Sequence, residues 1–278
     1  MLKTRIITAL ALMLVLLPAL LAEAAWPFAA LTLIMIGAAG WEWSRLNQLA
    51  GPGAWLLGAL VAAGAAVAWA SGWVGQTPPV VWTVALLVWV LGGAWALRLG
   101  VAGWPTIPRS LRLAIGVLLL WLAWLAIAEG KLRGLNFLLS VFCLVWAADI
   151  AAYFGGRAWG RAKLAPAISP GKSWAGVYSG MAGVIVLALC WLAFDRTGQA
   201  DSASLYTRLL QEAGWPGLLL ACLFLAALSV VGDLFESLVK RSAGAKDSSA
   251  LLPGHGGVLD RIDALLSVFP LALALVPA

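Results

Sequence analysis

Residues 111–128 read L-R-L-A-I-G-V-L-L-L-W-L-A-W-L-A-I-A, with Arg112 as the one charge. The run is continuous. A transmembrane β-strand would alternate apolar and polar residues over about ten positions, whereas about 20 unbroken apolar residues cross a ~30 Å hydrocarbon core as a helix. Outward from this run, similar ones recur at 6–22, 26–41, 53–70, 80–97, 135–153, 174–194, 215–236 and 262–277. The 278-residue chain is 63% hydrophobic and 11% charged, against about 45–50% apolar residues in a soluble domain. With a mean hydropathy of +0.97, it carries more apolar surface than a water-soluble fold could bury. The expectation is an all-α, polytopic integral membrane protein of about nine transmembrane helices, a single domain over residues 1–278.

Charge sets the orientation. With nine spans, 14 of the 18 basic residues fall on one side, from Lys3 and Arg5 through Arg157–Lys172 to Lys240–Arg261. Lys131, Arg133, Arg196 and Arg208 fall on the other. The positive-inside rule places the larger set in the cytoplasm. Lys3 and Arg5, the following apolar run and Ala22-Glu23-Ala24 also have the form of a secretory signal with an A-x-A site, and a retained first span is the expectation. Trp at span ends (Trp26, Trp41, Trp73, Trp104, Trp174, Trp215) reads as an interfacial belt. Cys143, Cys190 and Cys222 lie inside spans without paired spacing, as buried apolar residues and not disulfides. The net charge of +6 flanks spans and has no aromatic-basic surface beside it, so the anionic partners are lipid headgroups and phosphates, not nucleic acid.

Two polar loops interrupt the hydrocarbon. The first, Asp149 to Trp174, carries Arg157, Arg161, Lys163 and Lys172 among Gly155, Gly156, Gly160, Pro166 and Pro170. Gly171-Lys172-Ser173 suggests a P-loop, but Walker A needs glycine where Pro166 stands, and no strand precedes it. A purely topogenic connector needs positive charge and has no need of that rigidity.

The second loop, Ser237 to Asp263, reads S-L-V-K-R-S-A-G-A-K-D-S-S-A-L-L-P-G-H-G-G-V-L-D-R-I-D. Just before and into it, Asp233, Glu236, Ser237 and Lys240 fall on one helical face, and Asp260 and Asp263 are again three apart. Gly254, Gly256 and Gly257 permit close backbone approach, while Lys240, Arg241, Lys246 and Arg261 supply cations. Carboxylates with cations and close-approach glycines suit Mg²⁺ bound to a polyphosphate. Stapling two helix ends would use Glu236–Lys240 and Asp260–Arg261, and leave Asp233, Lys246, Asp247 and Asp263 over. His255, the only histidine, sits where a phosphate or base contact is open to it; it excludes His-based metal sites.

The second loop resembles the signature of the phosphatidate cytidylyltransferase (CDP-diacylglycerol synthase) family, S-x-x-K-R-x₄-K-D-x-[GSA]-x₂-L-P-x-H-G-G-x-x-D-R-x-D, which it meets at every specified position. Ser169–Trp174 is similar to the family's S-P-G-K-[ST]-W, and L-K-T-R-I-I-T-A-L at the start is typical of it. The family usually carries Glu or Gln where this chain has Ala175. The resemblance implies two cytoplasmic catalytic loops that transfer CMP from CTP to phosphatidic acid, with CDP-diacylglycerol and pyrophosphate as products. On that reading Asp233 and Asp260 are the principal Mg²⁺ ligands, with Asp263 and Asp247 beside them and room for a second cation. Lys240, Arg241, Lys246 and Arg261 hold CTP phosphates. Arg157, Lys163 and Lys172, with Ser169 and Ser173, take the lipid phosphate or complete the triphosphate cradle. Ser237, Ser248, His255, Gly256 and Gly257 complete the contacts. The implied setting is a bacterial inner membrane, as a phospholipid-biosynthesis enzyme; a homo-oligomer is compatible with it. A transporter would place its charges at mid-membrane, and a CDP-alcohol phosphotransferase would need an Asp-Gly signature, which this chain lacks.

Overall fold

Backbone groups away from water must bond within their own segment, and the apolar runs accordingly fold as helices. The computed structural model describes residues 2–277, with side chains from Ile6 to Pro277. Its helices are α1 (Leu2–Leu21), α2 (Trp26–Leu46), α3 (Pro52–Ala70), α4 (Pro79–Leu87), α5 (Gly93–Gly103), α6 (Arg109–Leu132), α7 (Leu135–Trp159), α8 (Trp174–Asp195), α9 (Leu205–Ser242), α10 (Leu259–Ile262) and α11 (Leu265–Leu275). A π-turn at Val88–Gly92 joins α4 to α5. The first polar loop folds back on itself as an antiparallel hairpin of β1 (Lys163–Ala165) and β2 (Ser169–Ser173), with Lys163 opposite Ser173.

Among the described residues, six helices are long and apolar enough to cross a membrane by length and composition. The others explain the difference from the nine runs. The last two turns of α2 carry Glu42, Ser44 and Arg45, and all but Arg45 are buried. The run at 262–277 is not one span: it breaks at Asp263–Ala264, and α11 has 11 residues, about 16 Å of helix. Leu265 to Leu273 are all buried, and α4, α6, α7 and α9 pack around them. An all-apolar helix fits a protein core as well as a bilayer, and this one forms the core.

Close packing of α7 against α8 fixes the wall of the site. A Cβ on Gly180 would come within 2.9 Å of the Ala148 carbonyl oxygen, and one on Gly183 within 2.6 Å of the Ala151 methyl. α9 is bent at Gly214, where φ is 64° and Pro216 follows. The bend lets Leu205 and Tyr206 bond to Ser140 of α7 before the helix turns into the bundle.

The two ends of the bundle separate the charges as the sequence count does. At one end, Lys131 donates to the carbonyls of Leu20 and Ala22 at 2.6 and 3.0 Å, and Arg133 bonds to Glu129 and the Val276 carbonyl. Asp201 caps α7 there by accepting from the N–H groups of Leu135 and Asn136. Both polar loops lie at the opposite end. Lys3 and Arg5, counted to that end, have side chains outside the described residues.

The Trp expectation needs correcting. Trp26, Trp174 and Trp215 are exposed as a belt requires, but Trp104 is 1% exposed and not interfacial. Its Nε1–H donates to Asn47 Oδ1, and it packs edge-on to Trp43 and Phe235. With Trp89, these rings brace α2, α5 and α9 beneath the polar end. The three cysteines are free, as expected, although Cys190 is exposed and only Cys222 fully buried.

Candidate active site

The end of α9 joins the two polar loops. Asp233 Oδ2 is 2.5 Å from Lys172 Nζ of β2. Two turns on, Lys240 Nζ lies 2.5 Å from Glu236 Oε2 and 2.6 Å from Asp260 Oδ1 of α10. Ser237 Oγ–H donates to Asp233 Oδ1 at 3.2 Å. The helical spacing puts these side chains on one face, and that face bonds the first loop with one turn and the second with another. Glu236 is 1% exposed in its side chain, with Lys240 as its ion partner.

The 243–258 segment has almost no regular structure, and two buried carboxylates organise it. Asp260 Oδ2 accepts from the N–H groups of Gly257 (2.7 Å) and Ser248 (2.9 Å) and lies 3.0 Å from Ser248 Oγ. Burial alone would raise the Asp260 carboxyl, but Lys240 and the two N–H donors outweigh it and hold the group below its ordinary range. Glu42, fully buried on α2, accepts from Val258 N–H (3.0 Å), Leu259 N–H (2.7 Å) and the hydroxyls of Ser248 and Ser249. It thereby satisfies N–H groups at the start of α10 that have no partner within the helix.

These contacts account for the Gly-Gly pair. Gly256 has φ +85°, and a Cβ there would lie 2.6 Å from Asp260 Oδ2. A Cβ on Gly257 would come within 2.0 Å of Ser248 Oγ and 2.3 Å of Glu42 Oε1. What approaches both glycines is carboxylate and hydroxyl.

Two cavities lie at the polar end, one against α9 and one in the second loop beyond it. One, of about 530 Å³, lies between α7, α8, α9 and the hairpin. Arg157, Lys172 and Ser173 line it at the polar end, and Asp149 and Asp233 stand deeper, among Ala148, Met181 and Val230. The other, of about 490 Å³, lies within the second loop and is lined by Lys246, Asp247, Ser249, His255 and Arg261 with Gly254 and Gly256. His255 Nδ1 is buried there without a partner among the described residues.

The remaining predicted residues are placed less centrally. Ser173 is buried and its Oγ caps α8 by accepting from Gly176 N–H at 3.2 Å. Ser169 opens β2, and Lys163 and Arg157 are exposed beside the hairpin. Arg241 Nη1 donates to the Ala245 carbonyl, tying down the start of the second loop. Asp263 sits at the α10–α11 bend and accepts from Ala264 N–H.

Asp149 and Asp263 lie close enough to Asp233 for their charges to repel. Among the described residues, no three Asp, Glu, His or Cys side chains stand as a ready-made metal cluster. Neighbouring carboxylates balanced by ammonium groups nevertheless have the donor chemistry of a hard-cation site. Asp149 and Glu42 were missed as site residues in the sequence. Their signal was available: each is a lone acid in an apolar helix, which is costly unless it has a task.

Comparisons with known proteins identify the family of the chain. Residues 3–278 match the model of the cytidylyltransferase family. The phosphatidate cytidylyltransferase of Pseudomonas aeruginosa is 41% identical over 283 residues, covering 99% of this chain and 97% of that protein. That of Haemophilus influenzae is 49% identical over 138 residues, 50% of this chain and 44% of that protein. The Bacillus subtilis enzyme is 40% identical over 138 residues, 49% of this chain and 46% of that protein. With a family match over nearly every residue and a relative aligned end to end, this chain belongs to the cytidylyltransferase family, as a homologue of phosphatidate cytidylyltransferases.

Proposed function

We propose that this protein transfers CMP from CTP to phosphatidic acid at the cytoplasmic face of a bacterial inner membrane. The products are CDP-diacylglycerol, for phospholipid biosynthesis, and pyrophosphate. The observation that carries the reading is the line of ion pairs Lys172–Asp233 and Glu236–Lys240–Asp260 along α9. It runs between a cavity with apolar inner walls and one lined by polar and basic groups. The first suits a lipid phosphate with its acyl chains in the bilayer, the second a nucleotide from the cytosol.

The chemistry needs little acid–base help. A phosphate monoester has a second pKa of about 6, so the lipid phosphate is largely ionised. One of its oxygens bonds to the α-phosphorus of CTP while the bond from that phosphorus to the β-phosphate oxygen breaks, and pyrophosphate leaves with the electron pair. The barrier lies in bringing two polyanions together in line and stabilising the leaving group. Lys240, Arg241, Lys246 and Arg261 neutralise the triphosphate in this scheme. Arg157, Lys163 and Lys172 receive the lipid phosphate, with Ser169 and Ser173 shaping the hairpin around it. Ser237, Ser248, His255, Gly256 and Gly257 frame the nucleotide.

Asp233 and Asp263, with Asp149 near them, would hold Mg²⁺, with space for a second cation; Asp247 lies apart in the second-loop cavity, and Asp260, held by Lys240 and two backbone N–H groups, would be free for a cation only with Lys240 on a phosphate. Bound there, Mg²⁺ would supply charge neutralisation between the phosphates. The bilayer is the working environment, nucleic acid has no place in the scheme, and a homo-oligomer is compatible with it. In this scheme both loops face the cytoplasm, on the side that carries the larger set of basic residues.

The test is incubation of detergent-solubilised protein with phosphatidate, Mg²⁺ and each of the four NTPs, followed by identification of the liponucleotide. CDP-diacylglycerol formed from CTP is the expected result. No liponucleotide, or one made equally from all four, overturns the proposal.

A further inference from the structure

The strongest unassigned feature is the carboxylate of Glu42, some 200 residues upstream of the signature loop it bonds. α2 mounts it rigidly. The next residue, Trp43, is 1% exposed, donates to the Arg112 carbonyl at 2.9 Å and stacks on Phe235. Glu42 has no Lys, Arg or His ion partner among the described residues, which would be costly for a buried charge in the absence of good donors. It has four: the N–H groups of Val258 and Leu259 and the hydroxyls of Ser248 and Ser249. Charge-assisted bonds of this kind are about twice as strong as neutral ones.

The position of those donors matters more than their number. Ser249 lines the loop cavity, and Gly256, which also lines it, is followed by Gly257 packed on Glu42. Ser248 Oγ lies between Glu42 Oε2 (3.2 Å) and Asp260 Oδ2 (3.0 Å), so its single proton serves either carboxylate while its backbone N–H stays on Asp260. Asp260 in turn holds Lys240. The 243–258 segment has little other structure to hold it. We propose that Glu42 is a positioning residue for nucleotide binding: from α2 it sets the floor of the loop cavity and the start of α10, and through Ser248 the placement of Asp260 and Lys240. This rests on the reading of that cavity as the CTP site.

The experiment compares wild type with Glu42→Gln, Ser249→Ala and Asp201→Asn. Asp201→Asn weakens a comparable backbone cap at the far end of the bundle and serves as the structural control. Glutamine keeps the size but turns an N–H toward donors. Glu42→Gln is expected to raise the KM for CTP about tenfold, the effect of losing a charged hydrogen bond, with the KM for phosphatidate within about twofold. Hydrogen exchange at Val258 and Leu259 should accelerate while α7 and α8 stay protected. Asp201→Asn should lower the melting temperature and leave both KM values unchanged.

The inference is overturned if Glu42→Gln leaves the KM for CTP unchanged, if it raises both KM values alike, or if Asp201→Asn reproduces its effect. Should Glu42→Gln not fold, Ser249→Ala decides, with about a threefold rise in the KM for CTP expected from one lost bond and an unchanged value fatal. Wild-type protein that makes no CDP-diacylglycerol sinks the functional reading and this inference together. Active wild type with an indifferent Glu42→Gln sinks only the inference.

Discussion

Lys240 holds two buried carboxylates, Glu236 at 2.5 Å and Asp260 at 2.6 Å, so its removal leaves both without their cation. Breaking a buried pair in this way costs about 3–5 kcal/mol, and Lys240→Ala should lower the melting temperature as well as activity. Lys240→Ala that melts like wild type would refute the pairing. Asp260 makes a pH prediction. Its carboxyl is held below the ordinary range, so its contribution is complete above the unfolded value of about 3.9 and is lost as pH falls through the lower folded value. The stability gap between wild type and Asp260→Asn should therefore be flat from about pH 7 to 5 and shrink below about 4. A gap that closes near neutrality would contradict it. Gly257→Ala drives a methyl into Ser248 and Glu42, and should reduce CTP-dependent turnover about 5- to 150-fold by the roughly 1–3 kcal/mol cost of overpacking. The spacing along α9 and its Glu236–Lys240 pair were legible in sequence; Asp233–Lys172 and Lys240–Asp260 were not, because those partners lie on different elements.

At the scale of elements, the apolar runs predict helices correctly, since the backbone in hydrocarbon has few other solutions. They do not distinguish a helix facing lipid from one facing other helices. The 262–277 run is apolar enough for either, and only its surroundings make α11 a core element. The α7–α8 pair carries another consequence. Gly183→Val would press on Ala151 and the Ala147 carbonyl, separating two helices that wall the larger cavity. The expected outcome is a lower melting temperature and a raised KM for phosphatidate with little change for CTP. Unaltered lipid kinetics would disconnect that cavity from the lipid.

For the whole molecule, Lys131, Arg133 and Asp201 cluster at one end and both polar loops at the other. In intact cells, a cysteine placed at Thr197 should react with an impermeant maleimide, and one at Gly171 only after permeabilisation. The reverse pattern would invert the proposed topology. Sequence alone determined the membrane class, the helical fold and the chemistry available at one face, because hydropathy and charge act locally, residue by residue. Tertiary structure alone decided that Asp233 faces Lys172, that Glu42 and Asp260 share Ser248, and that the glycine pair closes on carboxylates. Those contacts join segments up to 217 residues apart, and no local pattern encodes a distance that only packing creates.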